Sequence, residues 1–362
     1  MLKKVLFFCL ISIPFLSWAG NGFITTWKVS SEDLSITIPT DFYGEKYQYS
    51  VNWGDGTLDT DLTENAKHTY AKPGTYTVEI NGVFPSIYFR KLGMKIKEAS
   101  KLYSIEQWGN IEWKSFSFAF MNCRNLVCNA IDTPNLKGVT DFSFMFHGAD
   151  NFKGNINNWD VSNITDMSGM FIGADNFNSR IDKWNVSNVT DMSMMFYKAT
   201  SFNQPIENWD VSKVAYMSKM FSCAYAFNQP IGNWDVSNVT DMSEMFASEI
   251  PLEYHSFNQP IGKWNVTNVT NMSYMFTEAV AFNQSLANWN IENVEEMYNM
   301  FEYAKINVNN YDATLISWAK QNVKRNISLN AYNLKYCKGK NAIQQLIEKY
   351  NWSIKEDSFS CD

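Results

Sequence analysis

The residues able to do acid–base or metal chemistry are few and scattered. The chain holds three histidines, His68, His147 and His255, each in a different sequence context. None stands beside a nucleophile motif, and Gly-x-Ser-x-Gly, His-Glu-x-x-His and a phosphate-binding loop are all missing from the sequence. Acids are plentiful, and a glycosidase needs only two facing carboxylates. Asp166, Asp191 and Asp241, however, share one position of an internal repeat, where a row of acids is expected to be structural. No catalytic residue and no cofactor is therefore expected. Asp55, Asp59 and Asp61, with Glu64 nearby, are the candidate oxygen ligands for calcium, because hard cations favour clustered carboxylates. The alternative is a turn at Asp55 and solvated side chains for the others.

Sulfur chemistry depends on the compartment. Lys3 and Lys4, the apolar run Val5 to Leu16 and the small-x-small site Ser17-Trp18-Ala19 read as a secretory signal cleaved after Ala19. That run is too short to span a bilayer, and no other stretch approaches the roughly 20 apolar residues a membrane helix needs. Export leaves Cys123, Cys128, Cys223, Cys337 and Cys361, an odd number, so at least one thiol stays unpaired. Their spacing offers no zinc site. Cys337 and Cys361 are the expected bridge, since both lie in the non-repetitive C-terminal segment, and closing that loop contributes roughly 3 to 4 kcal/mol in the chain-entropy model. Cys223 falls at a varying repeat position, matching Gly173 and Lys198, and is expected to be free. Loss of Lys3 and Lys4 moves the net charge from -7 to -9, and without a basic block the chain lacks the footprint that nucleic acid requires.

The elements that position these side chains are repeats. Trp159, Trp184, Trp209 and Trp234 are spaced by 25 residues, then Trp264 by 30 and Trp289 by 25. The repeated unit is Trp184-Asn185-Val186-Ser187-Asn188-Val189-Thr190-Asp191-Met192-Ser193-Met194-Met195-Phe196, followed by Ala199 and Phe202-Asn203-Gln204-Pro205-Ile206. Two degenerate copies precede these, with Trp108 and Pro134 at the tryptophan position, so about eight coils are recognisable. Trp and Val two apart predict a short strand, and the three-residue spacing after them predicts a tight helical return. One 25-residue unit buries about 10 to 15 kcal/mol of apolar surface against about 25 to 50 kcal/mol of backbone entropy. Such a unit folds only when stacked. Asn163, Asn188, Asn238, Asn268 and Asn293 share one position, and stacking would align them into a ladder serving turn backbone groups. Met167 and Met170 have core spacing rather than ligand spacing.

Residues 108 to 301, with these Asn-Trp-Asp-Val-Ser-Asn-Val-Thr-Asp-Met copies and Phe-Asn-Gln-Pro connectors, resemble the BspA-like leucine-rich-repeat surface proteins, whose repeats also occur in mycoplasma surface lipoproteins. The resemblance implies a leucine-rich-repeat-type solenoid, adhesion to host or bacterial macromolecules, and no catalysis. Residues 20–86 show strand alternation, as in Tyr47, Tyr49, Val51 and Trp53, with Asp55-Gly56 and Pro73-Gly74 placed as hairpin turns. The Trp53-Gly54-Asp55-Gly56 and Tyr70-x-x-Pro73-Gly74-x-Tyr76-x-Val78 signatures are similar to a PKD-type immunoglobulin-like domain. After Phe301 helical spacing appears at 312–321 and 341–350, with strands near 327–329 and 352–354.

The expected architecture is a mainly β repeat protein. A signal peptide at 1–19 is followed by a small immunoglobulin-like β-sandwich at 20–86, a solenoid of about eight 25-residue coils at 87–309 and an α+β C-terminal cap at 310–362. Five extra residues interrupt the repeat between Phe246 and Phe257, which places Glu249, Ile250, Leu252, Tyr254 and His255 on an outward loop as candidate binding residues. The varying column Gly169, Met194, Lys219, Glu244, Tyr274 and Asn299 is expected to be exposed. Capture of an extracellular protein or glycan is the leading functional expectation. A structural spacer and a secreted hydrolase are the alternatives.

Overall fold

A computed structural model describes residues 21–40, 46–90, 96–249, 255–355 and 357–361, so the expected signal peptide lies outside the described residues. Alternation at the N-terminus produces β1 (Phe23–Val29), β2 (Ser35–Ile38), β3 (Gln48–Asn52), β4 (Leu58–Leu62), β5 (Ala66–Thr69) and β6 (Gly74–Val83). Tyr47, Tyr49, Val51 and Trp53 are all buried, as the period of two requires. The turn at Asp55-Gly56 closes the β3–β4 hairpin, where the Trp53 N–H donates to the Thr57 carbonyl at 3.1 Å and Gly54 holds a φ of 79°. Pro73-Gly74 behaves differently from expectation. It joins β5 to β6, and these belong to different sheets, β5 pairing only with β2.

The main sheet has the order β4-β3-β6-β1-β7-β8 and runs on past residue 86. A short helix, α1 (Ile96–Ala99), leads to β7 (Leu102–Gln107), which pairs with the edge of β1. β8 (Val127–Cys128) adds in parallel to β7, and Cys128 bridges in turn to Gly154 in the first regular repeat. A Cβ at Gly154 would sit 2.6 Å from the Cys128 carbonyl oxygen, so this handover requires glycine.

The repeats themselves correct the expected fold. From 129 to 307 the described residues contain no strand longer than an isolated bridge and one short 3₁₀ turn, Ile231–Asn233. The described residues are 9% helix and 20% strand, in small sheets, so neither a mainly β protein nor a leucine-rich-repeat-type solenoid with one strand per coil describes them. Each copy is a chain of turns. Trp184 N–H closes on Ile181 at 3.2 Å, Val189 on Val186 at 2.9 Å, Met195 on Met192 at 3.2 Å and Ala199 on Phe196 at 3.0 Å. These are contacts three residues apart, the turn spacing. Trp184 and Val186 are buried as the pattern demands, but alternate burial here reports successive turns, not extension.

Successive copies dock in parallel register. The N–H groups of Met192, Met194, Phe196 and Lys198 donate to the carbonyls of Tyr216, Ser218, Met220 and Ser222 at 2.8–3.0 Å. Parallel bridges link Asp141, Asp166, Asp191, Tyr216, Asp241, Asn271 and Glu296 in sequence. Phe171, Phe196, Phe221 and Phe246 stack at 5.7–5.9 Å between neighbours. The five-residue insertion leaves this register intact, since Phe227 and Phe257 stack at 6.0 Å and Phe246 and Phe276 at 5.7 Å.

Beyond the last copy, α2 (Val308–Trp318) begins at Asn307, whose side chain accepts the Asn310 N–H. Trp318 stacks on Phe301 at 6.2 Å, and the Thr314 hydroxyl accepts the Leu286 N–H at 3.0 Å, so this helix covers the final repeat. β9 (Ser328–Asn330), β10 (Lys335–Tyr336), α3 (Lys340–Tyr350), β11 (Ser353–Lys355) and β12 (Ser358–Phe359) complete the chain, with β9 paired to β11 and β10 to β12. The Cys337–Cys361 disulfide ties this segment, and Cys123, Cys128 and Cys223 are free and buried. One continuous core runs from Phe23 to Trp352. No helix among the described residues is long and apolar enough to cross a membrane.

Candidate binding surface

Two surfaces of the repeat stack differ in kind. The first carries the repeated Asp/Asn-Val-Ser-Asn-Val-Thr-Asp. Here the Asn188 side chain donates to Ser162 O at 2.8 Å, Asn238 to Ser212 O at 2.6 Å, Asn268 to Ser237 O at 2.7 Å and Asn293 to Thr267 O at 2.8 Å. The asparagine ladder therefore serves turn carbonyls, as expected. Asp166, Asp191 and Asp241 each accept the backbone N–H of the serine two residues on, at 2.8 Å. These carboxylates are engaged in Asx turns.

The second surface is the turn run around Met-Phe. Its varying residues occupy the left-handed region: φ is 60° at Gly169, 58° at Met194, 57° at Lys219, 55° at Glu244, 60° at Tyr274 and 53° at Asn299. Each non-glycine residue there carries a cost on the order of 1 kcal/mol. The column was expected to be exposed. It is instead half-buried, and Gly169 and Asn299 are buried outright, because a neighbour stacks above and below each side chain. The Phe144 ring covers Gly169, and a Cβ added there would lie 2.6 Å from it. Lys219 and Glu244 pair at 2.9 Å, and Tyr274 meets Tyr298 edge-on at 5.4 Å.

Four residues further on, a second left-handed column holds Gly148, Gly173, Lys198, Cys223, Glu278 and Tyr303. Tyrosines collect where this surface meets the C-terminal segment. Tyr298 is 46%, Tyr303 40% and Tyr332 36% exposed, and Tyr303 and Tyr332 touch with ring centroids 4.6 Å apart. Sequence reasoning did not single out Tyr298, Tyr303 or Tyr332. The only sequence signal at Tyr298 and Tyr303 is aromatic substitution at positions filled by Ser, Gly or Lys in other copies, and Tyr332 lies in the C-terminal segment, where no copy offers a comparison.

The insertion expected to bind is only partly placed. Ile250, Leu252 and Tyr254 lie outside the described residues. Glu249 does not point outward alone: it accepts from the Tyr197 hydroxyl and pairs with Lys198 at 2.7 Å, reaching back across two copies. Its hydrogen bond to Lys198 holds the Glu249 carboxyl below its usual range and raises the Lys198 ammonium. His255, expected on the loop, is 2% exposed, and neither ring nitrogen has a partner among the described residues. Burial lowers its pKa to about 4, so the ring is neutral near neutrality. Returning to the Phe257 register draws this residue under the stack, which the count of extra residues could not show.

The acidic group near the N-terminus is not drawn together. Asp55 accepts from both the N–H and hydroxyl of Thr57 and from His68 Nε2 at 2.8 Å, and these bonds hold its pKa at about 2 against the opposing effect of desolvation. Asp59 accepts from Trp53 Nε1 at 2.9 Å, and Asp61 from the Thr60 hydroxyl at 3.0 Å. No group of three metal-ligating side chains occurs among the described residues.

Comparison with known families settles the repeats. A model described as Mycoplasma protein of unknown function, DUF285, matches residues 114–229, 203–318 and 228–341, overlapping spans that together exceed half of the 362-residue chain. The chain belongs to the DUF285 family. A PKD-domain model matches residues 26–81 of this DUF285 chain, the segment that forms β1 to β6. No curated protein and no solved structure matches it.

Proposed function

We propose that this DUF285 chain is an exported, non-catalytic binding protein, akin to BspA-like surface proteins in role, that captures an extracellular protein or glycan on the varying surface of its repeats. The observation that carries this reading is the gathering of exposed Tyr298, Tyr303 and Tyr332 at one end of that surface, since exposed aromatics grouped on a rigid scaffold are the usual anchors of recognition. A PKD domain and the Cys337–Cys361 disulfide support an extracellular setting. The test is capture of matrix proteins and bacterial glycans by residues 20–362. Loss of capture in a Tyr298→Ser/Tyr332→Ser double variant of unchanged stability is the expected result, and equal capture would move the site elsewhere.

One observation favours a second reading as a rigid spacer. One core, from Phe23 to Trp352, includes side chains of both the PKD segment and the repeats. A spacer would bind nothing in that assay. The non-catalytic reading is supported by the engagement of Asp166, Asp191 and Asp241 in turns. Turnover of a polysaccharide or peptide, abolished by one carboxylate substitution, would overturn it.

A further inference from the structure

Where the last two repeats meet the C-terminal segment, an open groove of about 630 Å³ runs between Glu278, Tyr303, Lys305 and the start of α2 on one side and Asn333 to Lys335 on the other. Its floor is apolar, formed by the buried Ala304, Ile306 and Leu334. The Tyr303 ring forms a wall, braced by Tyr332. Its rim carries charges of both signs. Among the described residues the Glu278 carboxylate has neither a cation nor a hydrogen-bond donor, although it is half-buried, and burial together with Glu302 raises its pKa. Lys305 and Lys335 are likewise without carboxylate partners. The neighbouring charges on the same surface behave otherwise, as the Lys198–Glu249 and Lys219–Glu244 pairs show.

A half-buried carboxylate left unpaired is a cost that a ligand can remove. A purely apolar ligand would leave the half-buried Glu278 carboxylate unpaired, whereas the exposed Lys305 and Lys335 are served by water. A polyanion would face Glu278, and a polycation would face Lys305 and Lys335. An extended peptide needs an open strand edge, and β10, which borders the groove, is two residues long. A sugar ring matches each part, because it has an apolar C–H face for an aromatic wall and a rim of hydroxyls that both donate and accept.

Resting on the binding function proposed above, we propose that this groove is a saccharide site, in which a pyranose of an extracellular glycan lies against Tyr303 with its hydroxyls shared among Glu278, Lys305 and Lys335. The fold itself supplies a safe variant. Other copies hold glycine at the Tyr303 position with the same backbone, φ being 66° at Gly148 and 61° at Gly173 against 57° at Tyr303. Tyr303→Gly therefore removes the wall without opposing the turn.

The experiment is binding of the whole mature chain to an array of neutral and N-acetylated oligosaccharides, followed by titration of the best-bound member. The expected result is binding that falls at least tenfold in Tyr303→Gly and severalfold in Glu278→Gln, persists in Tyr303→Phe and is unchanged in Tyr216→Ala, a more exposed tyrosine of the bridging row. Absence of saccharide binding, or parental affinity in Tyr303→Gly, would overturn the proposal. Matrix-protein capture that persists without saccharide binding would overturn the saccharide site alone. Loss of both would overturn the binding reading as well.

Discussion

The asparagine row and the Met-Phe turn run stand on the same stacked repeats, yet they use side chains in opposite ways. In the row, Asn188, Asn238, Asn268 and Asn293 each serve the carbonyl of the copy before, so the residue type is dictated by the backbone. In the turn run the backbone N–H and carbonyl groups serve one another, as from Met194 to Ser218 and from Lys219 to Ser243, and the side chains meet only their own neighbours. One surface is therefore uniform because the fold depends on it. The other varies because the fold asks only for a left-handed turn there, and it is the surface that can acquire a function.

That contrast can be broken at the core shared by both surfaces. Trp209→Ala removes a buried ring stacked on Trp184 at 6.4 Å and the Nε1 bond to Ile181 O. The expected cost is about 3 to 5 kcal/mol, spread over several copies because each holds only its neighbours. Chemical denaturation would read it, and a midpoint equal to the parent's would contradict the stacking described.

A second test uses pH. Burial keeps His255 neutral in the fold, with a pKa of about 4 against 6.5 for an ordinary histidine. Below pH 6.5 the unfolded chain takes up a proton that the folded chain refuses, so stability falls as pH drops from 6.5 to about 4 and then levels. The expected loss is about 3 kcal/mol over that window. Denaturation midpoints of the parent and of His255→Phe between pH 7 and 4 would check it, and an identical slope in the two would assign the acid sensitivity elsewhere.

The surfaces themselves separate at smaller effects. Asn238→Ala deletes a bond to a turn carbonyl and is expected to cost about 1 kcal/mol. Lys219→Ala breaks the surface pair with Glu244 and is expected to change stability by no more than about 0.5 kcal/mol. A thermal melt of the two variants side by side ranks them. Equal losses would mean that the varying surface is as constrained as the uniform one.

Much of this is legible in the sequence. Trp184, Val186, Met192 and Phe196 are buried as their spacing requires, the asparagine ladder forms, and Cys337 pairs with Cys361 while Cys223 stays free. The helices near 312–321 and 341–350 appear at Val308–Trp318 and Lys340–Tyr350, the first displaced because Asn307 caps it early. The extra residues of the insertion pointed to a loop, yet His255 is buried and Glu249 is held by Lys198, while the exposed Tyr298 and Tyr303 stand on the last copy and Tyr332 in the C-terminal segment.

Periodicity, composition and cysteine placement are properties of the sequence alone, and by themselves they pointed to a stack of copies, to the residues of each copy that go inside and to the Cys337–Cys361 bridge, while the state of Cys123 and Cys128 was left to the fold. Whether the path between buried residues is extended or turning was decided only by tertiary structure, because a strand and a chain of turns can bury the same alternate residues. The left-handed backbone at Met194 and Lys198 arises from hydrogen bonds to the next copy, which no single copy contains. The same holds for exposure. Asn299 and Gly169 vary freely in sequence yet are covered by the neighbours stacked against them, and Tyr303 is open because the surface meets the C-terminal segment beside it.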